Sequence, residues 1–325
     1  MTDPILQVQN LTRHFSVPDK AAKQGWFKRA PTKTLVAVQD LNFEIERGEK
    51  VAFIGPNGAG KSTTLKMLSG LLHPTSGHAQ VCGYTPWKQT RQLASHIGLV
   101  FGQRSPLIPA LSVEDNYELL GKVYGLAPQA YKTQRERLIE VFGLQNLMPR
   151  LVRALSLGQR MRCDIAAALL HKPPVLFLDE PTIGLDVTAK ALLRDHLNQL
   201  ANDTDTTILL TSHDTDDIER ICHRVILIDN GEKLLDTSLP NLMNDYTRTK
   251  TLRLLTEEEH PTFTHPNVTI ERVEPHSIEM KIDVTQVAVE KIVSQCLDLF
   301  KVRDIGIEGM QLEDIIRTIY ESRKG

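Results

Sequence analysis

The sequence has few of the features that mark secreted, disulfide-stabilised or membrane-spanning proteins. Its four cysteines are far apart among 325 residues and form no C-x-x-C pair, so we expect free thiols in a reducing compartment. The opening MTDPILQVQN shows no basic segment followed by an apolar one, and we expect no signal peptide. No apolar run approaches the ~20 residues that span a bilayer, so we expect any membrane role to be peripheral.

The chain also lacks a large excess of charge of either sign. Its formal net charge is -2, from 38 Lys and Arg against 40 Asp and Glu, which argues against bulk binding of nucleic acid. Its 41% hydrophobic and 24% charged residues are ordinary for a globular protein. The length is enough for two or three domains.

Strand and helix patterns alternate over the first three quarters of the chain. Short apolar runs predict buried strands, which are KVAFIG, PVLFLD and TTILLTSH. Because such alternation produces a parallel sheet covered by helices, we predict an α/β domain over residues 1–240, with a helical subdomain inserted at about 102–165. After Pro240 the pattern changes to several strands and two helices, which predicts a small α+β domain over residues 241–325.

A phosphate-binding loop follows the first of these buried strands. GPNGAGKS fits G-x-x-x-x-G-K-[ST] and leads into a helix. The backbone N–H groups of such a loop surround an anion, the lysine adds charge at the β- and γ-phosphates, and the serine hydroxyl binds Mg²⁺. The residues that we predict to bind the nucleotide are Gly55, Pro56, Asn57, Gly58, Ala59, Gly60, Lys61, Ser62 and Thr63.

Two adjacent acids, Asp179 and Glu180, end the strand VLFLD. An aspartate at such a strand end suits the shell of Mg²⁺, and the following glutamate is placed to polarise an attacking water. The alternative is an acid pair that only caps a helix ahead of Pro181. The phosphate loop upstream favours the catalytic interpretation.

A second helix start stands at LSLGQ. Ser156 is a good N-cap residue, but this local role explains neither Gly158 nor Gln159. Read with LLHKPPVLFLDEPTIGLD and TSHD downstream, this segment resembles the signature of the ATP-binding-cassette (ABC) family of ATPases, and the resemblance covers residues 4–240. It implies a mixed-sheet P-loop cassette that binds ATP and Mg²⁺.

In ABC ATPases two cassettes pack head to tail, and the signature of one closes over the ATP of the other. The resemblance therefore implies that Ser156, Gly158 and Gln159 act in trans on a partner cassette. A homodimer is the simplest arrangement, and a heterodimer stays open. The triphosphate would then lie between two helix N-termini.

The same resemblance assigns further roles one residue at a time. Phe15 matches the aromatic that stacks on adenine, with a strand-end core residue as the alternative. Gln103 matches the glutamine that contacts Mg²⁺ and the attacking water, although IGLVFGQ places one more residue, Gly102, before it than is usual. Asp186 matches the D-loop aspartate, and His213 matches the switch histidine at the γ-phosphate.

The helical segment most resembles ATPases of exporters whose permeases are separate chains. The resemblance implies ATP hydrolysis that drives transport, with membrane permeases as partners at the cytoplasmic face of the inner or plasma membrane, and no nucleic acid. Two alternatives stay open: a soluble ABC ATPase that acts on ribosomes or nucleic acid, and a P-loop phosphotransferase. The first lacks support because the chain has neither a second cassette nor a long coiled coil, and the second leaves the signature unexplained.

A basic insert, Ser16 to Thr34, separates the first two predicted strands. Its five Lys and Arg residues surround Trp26 and Phe27, and the pattern predicts a long loop or a short amphipathic helix. One hypothesis is that Lys28 and Arg29 rest on anionic headgroups or on a permease helix. The alternative is a solvated loop.

Overall fold

The computed structural model describes residues 4–18, 32–102, 105–203, 205–246 and 249–323. It divides into two compact units, Met1–Thr237 and Ser238–Gly325. Gln103 and the centre of the basic insert, with Trp26 and Phe27, lie outside the described residues. Among the residues that are described, no helix is both long enough and apolar enough to cross a bilayer.

A six-stranded sheet forms the centre of the first unit. In spatial order its strands are β5 (Ile97–Phe101), β6 (Val175–Asp179), β7 (Thr207–Thr211), β3 (Lys50–Ile54), β8 (Arg224–Asp229) and β9 (Glu232–Ser238). The first five run parallel, and β3, β6 and β7 are the three strands that the apolar runs predict. Every residue of β6 and β7 is buried, as expected for strands covered by helices on both faces.

A three-stranded antiparallel sheet completes the first unit. Its strands, in spatial order, are β2 (Thr32–Ile45), β1 (Leu6–Pro18) and β4 (Ser76–Val81). The prediction of a loop or helix over all of Ser16 to Thr34 is wrong at both ends, because Ser16 pairs with Thr34 and Pro18 with Thr32. The hydrogen-bonded pairing of β1 with β2 continues past the residues that alternate between apolar and polar. The alternation in the sequence therefore does not predict this extension.

Seven α-helices are described in the first unit. They are α1 (Lys61–Leu68), α2 (Thr90–Ala94), α3 (Val113–Val123), α4 (Pro128–Val141), α5 (Leu157–Ala168), α6 (Val187–Asp203) and α7 (Thr215–Ile221). The predicted helical insertion corresponds to α3, α4 and α5, which lie between β5 and β6 in the chain. The buried hydroxyl of Tyr117 on α3 donates to the carbonyl of Cys163 on α5 at 2.8 Å, and this bond fixes the two helices together.

The second unit is α+β. It consists of α8 (Leu239–Tyr246), β10 (Thr249–Thr256), β11 (Val268–Glu274), β12 (Ser277–Asp283), α9 (Val289–Leu299), β13 (Val302–Glu308) and α10 (Leu312–Ser322). The strands form an antiparallel sheet in the order β11-β12-β10-β13. Alternate residues of β10 and β12, such as Leu254 and Met280, are buried with Ile292 and Cys296 of α9, because successive side chains of a strand point to opposite faces.

Candidate nucleotide site

The phosphate loop connects β3 to α1 and ends at Gly60. This glycine adopts φ 104°, a conformation that L side chains rarely take, and a Cβ there would collide with the carbonyl oxygen of Ala37 on β2. No side chain caps the first turn of α1. Its free backbone N–H groups are therefore available to an anion, as at other phosphate-binding helix starts.

Lys61, the first residue of α1, is 7% exposed. Its ammonium Nζ donates to the carbonyl of Gly55 at 2.6 Å and to that of Pro56 at 3.2 Å, and it lies 3.3 Å from Nε2 of His213. Burial lowers the pKa of Lys61, while the carboxylates of Glu180 and Asp179 oppose this shift. The charge of the lysine is thus held inside the loop and next to both acids.

Asp179 lies directly beside Ser62, the second residue of α1. Ser62 Oγ donates to Asp179 Oδ1 at 3.1 Å, and Thr211 Oγ1 donates to the same oxygen at 2.7 Å. The hydroxyl of Thr211 also accepts from the backbone N–H of Glu180 at 3.0 Å. One threonine at the end of β7 therefore fixes both members of the acid pair at the end of β6.

Glu180 has an unusual backbone for its residue type, with φ 53°. A non-glycine residue in this region is strained by about 1–3 kcal/mol and persists only where its surroundings enforce it. Burial, which is the largest cause, raises the pKa of Glu180, and the charge of Lys61 opposes the shift. Its Oε1 is buried and makes no hydrogen bond.

His213 follows β7 and brings its Nε2 to 3.1 Å from Glu180 Oε1. Burial, and then the positive charge of Lys61, lowers the pKa of His213, so the imidazole is neutral at physiological pH. A neutral Nε2 that accepts from Lys61 cannot also donate to Glu180, which agrees with the missing hydrogen bond at Oε1. The tautomer thus decides whether His213 bonds the lysine or the glutamate.

A cleft of about 580 Å³ opens at this cluster. It is lined by Ser62, Lys66, Leu71, Phe101, Gly102, Asp179, Glu180 and Ile183. Its size is within the range of small-molecule sites, about 300–1,000 Å³. The cleft brings the serine of the phosphate loop and both acids to one surface.

Gly102 is one of the residues that line this cleft, immediately after β5. Its backbone N–H donates to the carbonyl of Asp179 at 2.8 Å, so it continues the pairing between β5 and β6 by one step. A Cβ on Gly102 would overlap the carbonyl oxygen of Glu180 and lie 3.0 Å from Ile183 Cγ2. The additional residue before Gln103 is therefore a glycine for a steric reason.

The signature residues have local roles as well as the predicted one. Ser156 caps α5 by accepting from Gln159 N–H, and the Gln159 side chain accepts from Ser156 N–H in return. A Cβ on Gly158 would lie 2.9 Å from Cβ of Ala189, so this glycine allows α5 and α6 to pack closely. Within the described residues, no hydrogen bond joins Ser156 to the phosphate loop of its own chain.

The remaining predicted residues occupy separate positions. Asp186 precedes α6 and accepts from the N–H of Ala189 at 2.8 Å. Phe15 is half-buried on β1, and the guanidinium of Arg13 lies 4.6 Å from its ring centroid. Thr63 is half-buried in the first turn of α1.

The sequence patterns did not identify Thr211 as a residue of the site, and they did not identify Gly102 as a residue with a steric role. Thr211 stands in the polar tip of TTILLTSH, two residues before His213. A hydroxyl at the end of a buried parallel strand, next to a strand that ends in two acids, was a usable signal. The close approach of Gly102 depends on the pairing of β5 with β6, which the sequence does not state.

Comparison with known proteins agrees with this geometry. The model of the ABC transporter family matches residues 38–183. The ABC transporter ATP-binding protein NatA of Bacillus subtilis is 37% identical over 210 residues, which cover 65% of this chain and 85% of that protein. The linearmycin resistance ATP-binding protein LnrL of the same organism is 32% identical over 280 residues, or 85% of this chain and 89% of LnrL.

Two further matches describe an export protein and a solved structure. The Nod factor export ATP-binding protein I of Ralstonia nicotianae is 37% identical over 211 residues, covering 65% of this chain and 64% of its own. An ATP-binding cassette solved as a dimer in a post-hydrolysis state, bound to ADP and Pi, aligns with a TM-score of 0.60 and 26% identity. The alignment covers 72% of this chain and 98% of that cassette.

A phosphate loop between a buried parallel strand and a helix, with an acid pair at the end of a nearby strand, defines the first unit as a P-loop ATPase cassette. The identities and coverages then assign the family: the chain belongs to the ABC transporter family of ATP-binding proteins. It is the ATP-binding, ATP-hydrolysing subunit of an ABC transport system. The predicted family and fold class are confirmed.

Proposed function

We propose that ATP binds with its β- and γ-phosphates at the N-terminus of α1 and its γ-phosphate beside Glu180 and His213. The observation that carries this proposal is the convergence of Lys61, Ser62, Asp179, Glu180 and His213, each within 3.3 Å of another member. Lys61 would exchange its bonds to loop carbonyls for bonds to phosphate oxygens. The other phosphate-loop residues and Phe15, as the adenine-stacking aromatic, complete the proposed site.

The side chains beside the loop fit Mg²⁺. Ser62 Oγ and the Asp179 carboxylate are hard oxygen donors in direct contact, and Asp179 Oδ2 takes no part in the bonds that hold Oδ1. Mg²⁺ prefers one or two such protein ligands together with phosphate oxygens and water. When bound, it would neutralise charge on the β- and γ-phosphates. Gln103, outside the described residues, stays a predicted third contact.

The roles proposed for the acid and the histidine follow from their environments. Glu180 would accept the proton of the attacking water, and the burial that raises its pKa makes it a better base near neutral pH than an exposed glutamate. His213, whose side chain is 45% exposed, would orient that water and the γ-phosphate. Lys61 would offset the charge that spreads over the transferred phosphoryl oxygens.

The proposed active unit is a dimer of cassettes that share two ATP molecules. Ser156 accepts one backbone hydrogen bond in its capping box, so its O–H proton is available to a phosphate of a partner cassette. Gly158, Gln159 and Asp186 would lie at the same interface. The dimeric cassette with ADP and Pi supports this arrangement, and two copies of the chain satisfy it most simply.

The proposed direction of transport is export. The family assignment and the relative named for Nod factor export support this direction. Separate permease subunits would supply the membrane-spanning part, with the cassette peripheral at the cytoplasmic face. We propose the unit from residue 238 onward as an accessory domain that supports dimer contacts or regulation.

The substitution Glu180→Gln tests the proposed chemistry. It keeps the size and most contacts of the side chain but removes the base, so we expect ATP binding to persist while phosphate release falls by about 10²–10⁴-fold. ATP should then hold the variant as a dimer in size-exclusion chromatography with light scattering. Wild-type turnover in this variant would show that another group accepts the proton. Hydrolysis by a strict monomer would contradict the shared site.

A further inference from the structure

A buried carboxylate on α7, that of Asp217, gathers three side chains from different segments. Its Oδ2 accepts from Thr182 Oγ1 at 2.5 Å and from Ser212 Oγ at 2.7 Å, and its Oδ1 accepts from Arg194 Nε at 2.5 Å. All four residues are buried. An ionised group is kept in such a place only when it is paired and fully hydrogen-bonded, and Asp217 meets this condition.

Both hydroxyl donors are attached to residues of the proposed hydrolytic site. Thr182 is two residues after Glu180, and Ser212 immediately precedes His213. One oxygen atom of Asp217 therefore holds both the segment that carries Glu180 and the segment that carries His213. The left-handed backbone of Glu180, φ 53°, is a conformation that the surroundings must enforce, and the Thr182 anchor supplies such a constraint.

The network also reaches the segment that follows the D-loop. Arg194 on α6 contacts Asp214 at 2.8 Å in addition to Asp217, and Lys190 one turn earlier contacts Asp214 at 2.7 Å. The helix α6 starts directly after Asp186. These ion pairs connect the start of α6 with the segment that carries the histidine.

We propose that Asp217 is a positioning residue for ATP hydrolysis, which holds Thr182 and Ser212 and thereby sets Glu180 and His213 against the attacking water. The inference rests on the proposed function, since it needs these two residues at the γ-phosphate. Asp217 is fully buried, so its proposed action on the reaction is indirect. It would act by fixing the positions of Glu180 and His213, since a misplacement of a catalytic group by about 1 Å costs about 10²-fold in rate.

The sharpest test removes one hydroxyl without changing the shape. Thr182→Val deletes the donor to Asp217, Thr182→Ser restores it, and Asp217→Asn removes the charge of the acceptor. The control is Glu219→Gln, two residues away on the same helix and exposed, because Asp216 is itself ion-paired to Arg194. We expect kcat to fall about 10-fold or more in Thr182→Val and Asp217→Asn, and to stay near wild type in Thr182→Ser and in the control.

Two further readouts separate positioning from a purely structural role. The KM for ATP, and the affinity for a fluorescent ATP analogue, should change less than about twofold, because the phosphate loop is intact. Combined with Glu180→Gln, Asp217→Asn should lower the residual rate little further, since residues that act as a unit are not additive. Multiplying losses, or kcat that falls only in step with the folded fraction, would overturn the inference.

The outcomes for wild-type protein and variant separate the two proposals. An active wild type, with Thr182→Val at full kcat, would overturn the positioning role and leave the ATPase proposal standing. A wild type that releases no phosphate from ATP in the dimer would overturn the proposed function and this inference with it.

Discussion

The substitution Gly102→Ala adds a single methyl group against the carbonyl oxygen of Glu180. Relative to the 3.0 Å that real Cβ atoms keep, the new atom would overlap the Glu180 carbonyl oxygen by about 0.8 Å. Relief must come from the backbone of Glu180 or from β5, because the overlapped atom is a backbone oxygen and Ile183 Cγ2 already lies at 3.0 Å. The acid is expected to shift by most of this distance, and a misplacement of about 1 Å costs about 10²-fold in rate.

Steady-state phosphate release gives kcat for this variant, and urea unfolding gives its stability. We expect kcat to fall at least ~10-fold and stability to fall by about 1–3 kcal/mol, the usual cost of overpacking. Gly306→Ala in β13 is the matched control, because its Cβ would meet only Arg253 Cβ, at 3.9 Å. Full kcat in Gly102→Ala would refute the claim that this contact positions Glu180.

Two further predictions concern the interface between cassettes and a buried acid. Lys61→Ala and Ser156→Ala should each abolish ATPase activity when tested alone. Mixing the two variants should restore up to roughly a quarter of wild-type activity, because a mixed dimer pairs one intact lysine with one intact serine at one of its two sites. An inactive mixture would contradict the trans site. Burial raises the pKa of Asp164 to about 6. Between about pH 4 and pH 6 the folded state therefore holds a proton that the unfolded chain has released. The free energy of unfolding consequently falls as pH rises through this range. Asp164→Asn should therefore gain stability relative to wild type across that range in urea unfolding, and a pH-independent difference would refute this reading.

Much of the local structure followed from sequence patterns. The apolar runs of β3, β6 and β7 predicted buried parallel strands because a strand covered on both faces has no polar alternation. Asn230 and Gly231, which join β8 to β9, both have the positive φ of a type I′ turn, 47° and 84°, as this residue pair favours. The sequence patterns did not predict α8, the short strands β4 and β5, or the outward extension of β1 and β2.

For the candidate site too, the sequence predicted the residues but not their arrangement. Motif spacing identified Lys61, Ser62, Asp179 and Glu180 as candidates, and the resemblance to ABC ATPases added His213. Their mutual distances were not available from the chain order. The pairing of β6 with β7, and of β7 with β3, brings three distant segments to the same sheet edge.

The sequence by itself determined the class of this protein, because a phosphate loop, a signature and an acid pair are local strings whose chemistry depends on few neighbours. Only the tertiary structure decided how the acid is held. The segment that carries the left-handed Glu180 contacts Thr211, Gly102 and Asp217, which come from separate elements. Side chains far apart in the chain meet only when the sheet and helices pack, so no local pattern could report them.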